Sequence, residues 1–498
     1  MRRALLVLLL TLVASPAVRT GPAPLAGLDA YIARAVADWR VPGLAVAIVK
    51  DGAVVFSRGY GVRELGRPEP VDTHTLFAIG STTKAMTAAL MAMLVDEKKV
   101  EWDAPVTRYL PWFQLKDPAA TRELMVRDLL THRAGLGNAD YLWYGQANST
   151  TEILKRVRLL DPAYPIRSGF IYQNIMYAAA GAVIEAASGK PWAEMVRTRI
   201  FEPLGMSDTI PTAATLASRP NVASPHDVVG GEVRVIENAS VDPVAAAGAV
   251  WSSVDDMAKW MRFLLDGGRV GGPQGTRLIS AASFAELFTP QTIAPYEMYP
   301  TTRLTKPHWM TYGLGWFQQD YGGEAVDFHT GSIDGMVAIH GLVRDRRLGV
   351  YVLGNLDHAE LRHAIMYRVL DRYAGRPDRD WSAEFLQLYA GLQKQAEAER
   401  AKTMASRVAG TSPSLQLERY AGTYSDPLHG DVVVTSEGGG LRIRYGSAFG
   451  GSLEHWHYDT FRAVWTAAWR EPALVTFALD SNGTPHSLEM MDARFIRR

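Results

Sequence analysis

A hydroxyl and an amine three residues apart, in Ser81-Thr82-Thr83-Lys84, form the first pair in this sequence that could do covalent chemistry. A serine alcohol is inert near neutral pH and turns nucleophilic only with a base in hydrogen-bond reach, which an i, i+3 amine on the same helical face supplies. A helix start adds partial positive charge. Alone, the pair fits an N-cap serine and a solvated lysine as well as a nucleophile and its partner. What favours chemistry is the run to Val95, where Ala, Met and Leu recur without Gly or Pro. Such a helix is buried, and a lysine on it needs a polar partner inside.

Two further groups can join that pair. Tyr172-Gln173-Asn174 places a phenol and an amide on either side of one residue just before a helical stretch, Ile175 to Ala187. Both side chains can then project into one cleft. A phenol titrates near ~10, and an ammonium about 4 Å away at an effective dielectric of ~20 lowers that by about three units. In isolation the tripeptide reads as structural, with Asn174 as a helix cap and Tyr172 in the core. His329-Thr330-Gly331 follows Val326-Asp327-Phe328, a strand-like run, and precedes Ser332. Gly331 there permits a close backbone approach that a side chain blocks.

These groups need a scaffold. Leu28 to Trp39 has helical periodicity, and Leu44 to Val49 with Ala53 to Ser57 flank Asp51-Gly52 as a hairpin. Helical patches follow at Arg122 to Thr131 and at Val254 to Leu265, the latter with Ser253 as N-cap. From Gly315 the pattern changes to short β runs: Trp316 to Gln319, Val326 to Phe328, Val337 to Leu342 and Val350 to Leu353. Ala359 to Tyr373 then reads as a closing helix. This order predicts an α+β domain, an antiparallel sheet flanked by helices and built from both ends of the segment, with an all-helical subdomain between. Ser382 to Ala405 reads as a connecting helix ended by Gly410 to Pro413. Beyond it come β runs at Asp431 to Thr435, Leu441 to Tyr445, Phe461 to Thr466, Ala473 to Leu479 and His486 to Met490. Their spacing predicts a small antiparallel barrel or sandwich.

The composition narrows the chemistry. With 498 residues the chain is long enough for two or three cores, and 52 Lys plus Arg against 52 Asp plus Glu leave no field to attract nucleic acid or an acidic membrane. A small-molecule ester or a peptide is the expected substrate. The absence of cysteine removes disulfides, thiolate catalysis, iron-sulfur clusters and cysteine zinc sites, so the nucleophile is an oxygen or a nitrogen. Arg2 and Arg3, the apolar stretch Ala4 to Ala14 and Ser15-Pro16-Ala17 read as a secretory signal peptide, with a second small-residue site at Ala26. An uncleaved anchor is the alternative. The mature protein is therefore expected outside the cytoplasm, secreted or periplasmic, without a stable membrane anchor.

Taken together and in this order, Ser81-x-x-Lys84, Tyr172-x-Asn174 and His329-Thr330-Gly331 make the chain resemble the penicillin-recognising serine hydrolases: class C β-lactamases, serine DD-peptidases and related secreted esterases and D-amino-acid peptidases. The likeness extends over Leu28 to Tyr373 through Leu129 to Leu136, Phe201 to Met206, and Ala247-Gly248 before Ser252-Ser253. Tyr420 to Tyr424 opens a segment similar to the lipocalin-like domain that some relatives append. The leader pattern and the composition give a signal peptide at 1–17 and a helical linker at 374–413, and the resemblance implies a hydrolase domain at 28–373 and a lipocalin-like barrel at 414–498. It further implies Ser81 as the acylated nucleophile, Lys84 as its partner, and Tyr172 as base for attack and acid for the leaving group. Asn174 binds a substrate amide or fixes Lys84, and the amides of Ser81 and Ser332 form the oxyanion hole beside His329, Thr330 and Gly331. Which of Lys84 and Tyr172 holds the mobile proton stays open, because a coupled pair titrates as a unit.

One departure bears on substrate. β-Lactamases usually carry Lys where this chain has His329, and an imidazole titrating near ~6.5 is mostly neutral at pH 7.5. Esters or D-amino-acid amides are therefore expected ahead of β-lactams; β-lactamase or DD-carboxypeptidase activity, or a non-catalytic penicillin-binding-like sensor, are the alternatives. No cofactor or metal is implied. Gly-x-Ser-x-Gly and His-Glu-x-x-His are missing, and His455-Trp456-His457 reads as aromatic packing on a barrel rather than a metal site. Trp143 and Tyr144 either line the cleft or pack. The oligomeric state and the role of the barrel are not readable.

Overall fold

The computed structural model describes residues 24–498, so the leader read at 1–17 lies outside the described residues. Helix α1 (Leu28–Asp38) leads into strands β1 (Gly43–Lys50) and β2 (Ala53–Gly61). Asp51 and Gly52 join them, both at positive φ (52° and 80°), as a tight hairpin requires. After α2 (Thr83–Asp96), α3 (Asn174–Ser188) and α4 (Val254–Leu265), the chain returns as β3 (Thr292–Ile293), β4 (Met310–Tyr312) and β5 (Phe317–Tyr321). Then come β6 (Glu324–Ile333), β7 (Met336–Val343), β8 (Leu348–Gly354) and α5 (Leu361–Ala374). The sheet order is β2-β1-β8-β7-β6-β5-β4-β3, so the first hairpin completes a sheet whose other strands come some 230 residues later.

Alternation along β1 explains its continuous apolar run. Leu44, Val46 and Ile48 pack with α1 and α5, while Ala45, Ala47 and Val49 face the cluster that holds α2, α3 and α4. Both faces are covered. Helix α2 is buried from Thr83 to Leu94, as its unbroken apolar composition demands.

Three local expectations differ from what forms. Ser81 does not head an α-helix; it sits in a 3-10 turn, Gly80–Thr82, that leads into α2. Arg122 to Thr131 is not one helix. It divides into an α-helix at Pro118–Glu123 and a 3-10 turn at Val126–Leu130, because the buried Asp128 carboxylate accepts the Met125 amide at 2.9 Å while Arg133 and Arg167 hold it from outside. The third difference is length: β6 continues through His329-Thr330-Gly331 to Ile333, because β7 supplies ladder partners that far, from Asp327 opposite Leu342 to Ile333 opposite Met336.

Helix α6 (Trp381–Ala405) buries Trp381, Ser382 and Phe385 and then runs exposed toward the second domain. There β9 (Gly422–Asp426), β10 (Gly430–Glu437), β11 (Gly440–Tyr445), β12 (Phe449–His457), β13 (Thr460–Trp465), β14 (Ala473–Leu479), β15 (Pro485–Met490) and β16 (Ala493–Arg497) close into an antiparallel barrel. Tyr420, Tyr424, Phe461 and Phe477 fill it. Closure removes the exposed edges that a small open sheet would present.

Candidate active site

The 3-10 turn presses Ser81 against β6. A Cβ on Gly331 would overlap the Ile79 carbonyl and stand 3.1 Å from the Ser81 nitrogen, and one on Gly80 would lie 2.7 Å from the Ser332 nitrogen. Absence of side chains thus lets two amides border one space. Their orientation follows from Arg362, whose buried guanidinium donates to the Gly331 carbonyl at 2.5 Å and to the Ala338 carbonyl at 3.1 Å. In a trans peptide C=O and N–H point opposite ways, so the Ser332 N–H is turned away from Arg362, toward Ser81. Glu360 pairs with Arg362 at 2.9 Å and keeps that brace neutral overall. Gly331→Ala is expected to push the turn off the strand and cost about 100-fold in kcat/KM, the usual loss of one oxyanion donor, measured on a chromogenic ester.

Lys84 lies beneath Ser81, wholly buried. Its Nζ is 2.9 Å from Ser81 Oγ, 2.7 Å from Asn174 Oδ1 and 2.9 Å from the Ala247 carbonyl. Burial depresses its pKa well below the usual amine range, opposed only by the Asp140 carboxylate. A neutral amine has two N–H groups and one lone pair. Asn174 Oδ1 and the Ala247 oxygen can only accept, so they take the two N–H groups and leave the lone pair for the Ser81 proton.

Tyr172 differs from the charge argument made above. Its pKa is raised well above the ordinary phenol value by burial, with the neighbouring Ser81 hydroxyl pulling the other way. Lys84 Nζ stands 4.8 Å from its ring centroid, and a neutral amine exerts little field. Tyr172 is held as a neutral phenol next to Ser81. His132, at positive φ (57°), stacks on its ring at 4.2 Å and accepts the Gln173 amide through Nδ1 at 3.0 Å. Burial keeps His132 neutral.

His329 is placed under the cleft floor. Its Nδ1 donates to the Thr330 carbonyl at 2.6 Å, Nε2 accepts from Tyr312 at 3.0 Å, and burial takes its pKa to about 3. It brings no charge to the cleft at neutral pH, and its ring is buried. Thr330 Oγ1 shares a 2.8 Å hydrogen bond with Tyr299, and Ser332 is exposed. From His329 to Ile333, β6 pairs only with β7, because β5 stops opposite Phe328. The free edge beside Ser81 can take an extended substrate backbone.

Five contributors were not singled out as site residues: His132 and Ala247, which lie in segments that carried the likeness, and Asp140, Tyr299 and Arg362, which carried no motif. Asp140 is the most consequential, since both its oxygens accept from Asn174 Nδ2 at 3.1 Å. Nothing in its local sequence, Ala139-Asp140-Tyr141, distinguishes it from a surface carboxylate.

The family model described as Beta-lactamase matches residues 28–374, and one described as Domain of unknown function (DUF3471) matches residues 406–497. A protein named Unguisins hydrolase ungD, from Aspergillus violaceofuscus (strain CBS 115571), is 29% identical over 90% of this chain and 85% of its own length. Penicillin-binding protein 4 of Amycolatopsis lactamdurans is 29% identical over 60% of this chain and 76% of its own. The solved structure of an octameric penicillin-binding protein homologue from Pyrococcus abyssi superposes with a TM-score of 0.62 at 23% identity, covering 95% of this chain and all of that one, a likeness of fold.

Proposed function

The chain belongs to the Beta-lactamase family of serine hydrolases, and from that premise we propose that it cleaves esters or amides next to D-amino acids through an acyl-enzyme on Ser81, in preference to β-lactams. The carrying observation is the contact of Ser81 Oγ with a buried amine whose two other neighbours can only accept hydrogen bonds. The Lys84 lone pair takes the hydroxyl proton as Oγ attacks the substrate carbonyl. The oxyanion develops between the Ser81 and Ser332 amides, each donor worth about 3 kcal/mol in the transition state. Tyr172, a neutral phenol beside Ser81, passes its proton to the departing alkoxide or amine and takes up, through water, the proton that Lys84 holds, so that both groups are restored before deacylation. Water then repeats the sequence on the acyl-enzyme.

Preference against β-lactams follows from His329. A ring neutral down to about pH 3 and bonded at both nitrogens offers no fixed cation for a drug carboxylate. The names of the relatives, a hydrolase and a penicillin-binding protein, agree with acyl transfer in general. The leader read from Arg2 to Ala17 supports work outside the cytoplasm. The purified protein is expected to turn over a short-chain p-nitrophenyl ester or a D-Ala-containing peptide at least about tenfold faster, in kcat/KM, than nitrocefin. A reversed ranking would overturn the preference while leaving Ser81 as nucleophile. No labelling of the wild type by a fluorophosphonate would point instead to a binding protein without turnover.

A further inference from the structure

The barrel touches the hydrolase domain where Asp140 is carried. Asp140 opens a 3-10 turn, Asp140–Leu142, and faces inward to Asn174. On the outer side the same stretch is gripped from both flanks. The Tyr141 ring lies on the His429 ring of the β9–β10 turn, centroids 4.3 Å apart and 30° from parallel. The Gly145 carbonyl accepts from the Ser447 and Ala448 amides at 2.9 and 3.2 Å. A side chain on Gly145 would stand 2.6 Å from the Phe449 ring, at a φ of 66° that already favours glycine.

Arg470 completes the grip. Its guanidinium lies 5.0 Å from the Tyr144 ring centroid and 4.3 Å from that of Phe449, with its side chain 9% exposed. Its Nε and Nη1 have no hydrogen-bond partner among the described residues. The nearest anion is Asp334, at 3.7 Å, whose two oxygens accept the Tyr144 hydroxyl at 2.8 and 2.6 Å. Asp334 lies two residues beyond Ser332 on the β6–β7 turn, so one cluster joins barrel, turn and oxyanion strand.

We propose that the barrel is a positioning element of the active site, and that Arg470, Phe449 and His429 clamp the Asp140 turn from outside and so hold the Asp140–Asn174–Lys84 chain in register with Ser81. The chemistry of Asp140 makes this matter. A carboxylate only accepts, so it draws Asn174 Nδ2 to itself and leaves Oδ1 for Lys84. With the turn displaced, the amide is free to flip and offer N–H groups to an amine that needs an acceptor. Lys84 is faced by Asp140 from this turn, by Tyr172 and Tyr177 from the segment at α3, by His132 from the loop before it and by His329 from β6. Asp140 is the anion among them.

The inference rests on acylation of Ser81, so its test reads that step directly: the rate of fluorophosphonate labelling of full-length protein as a function of pH. Arg470→Ala is expected to slow labelling about 10- to 100-fold and to move the limb that belongs to Lys84 to lower pH, with Arg470→Lys recovering most of both. Asp140→Asn is expected to move the same limb the same way by about one unit, and adding Arg470→Ala to it to change little more. His429→Ala provides a second, independent loosening should Arg470→Ala disturb the barrel. Unchanged pH profiles in the Arg470 and His429 variants, or effects that simply multiply with Asp140→Asn, overturn the proposal and leave the acyl-enzyme standing. An unlabelled wild type overturns both.

Discussion

Ser81→Ala is expected to abolish ester turnover, a fall of about 10^5- to 10^6-fold in kcat, and to remove all fluorophosphonate labelling. The size comes from the chemistry removed. Without Oγ no acyl-enzyme forms, and Lys84, Tyr172 and the two amides are left around an alanine methyl with only water to activate. Ser81 is half-buried at the cleft and its hydroxyl is bonded to Lys84, so the substitution removes one hydrogen bond and no packing of consequence. A melting curve close to the wild type, measured beside the activity, separates lost chemistry from lost structure. Residual turnover within about tenfold of the wild type would show that another nucleophile does the work.

Lys84→Met is expected to slow acylation about a thousand-fold at neutral pH while the protein stays folded, since an unbranched apolar chain fits the same channel. The wild-type acid limb belongs to the amine. As pH falls through its depressed pKa the lone pair is protonated and kcat/KM drops; in Lys84→Met this limb is gone from what activity remains. Stability gives a second reading. Between that depressed pKa and about 10.4 the native state holds a neutral amine and the unfolded chain an ammonium, so unfolding takes up a proton and stability rises with pH across this window. Lys84→Met is expected to flatten that rise, as followed by denaturant unfolding at pH 7 and pH 9.5. An unaltered slope would mean that Lys84 is charged in the fold, and the base would then have to be sought in Tyr172.

Much of this was legible in residue order. The buried helix α2, the Asp51-Gly52 hairpin, Ser253 as a helix cap accepting the Asp256 amide at 3.3 Å, and five of the eight barrel strands follow from composition and periodicity over a dozen residues or fewer. Strand β12 was not legible because Gly450 and Gly451 near its start read as loop, and the first and last barrel strands because they are short and pair with each other only on closure. Strand β6 outran its apolar pattern for a related reason: Thr330 and Gly331 are strand residues only because β7 lies beside them.

The three motifs of the hydrolase domain stand 88 and 155 residues apart, from Lys84 to Tyr172 and from Asn174 to His329, and the sequence by itself determined which groups are available, what each can donate or accept, and that an oxygen nucleophile works without cysteine. Proton placement was decided by the tertiary structure alone. Desolvation sums over every element packed around a group, so burial makes the Lys84 ammonium the readier of the pair to lose its proton and keeps Tyr172 a phenol, a choice that their types and spacing left open. For the same reason Asp140 and Arg470, ordinary charged residues in their local sequence, acquire a part to play only where two domains meet around them.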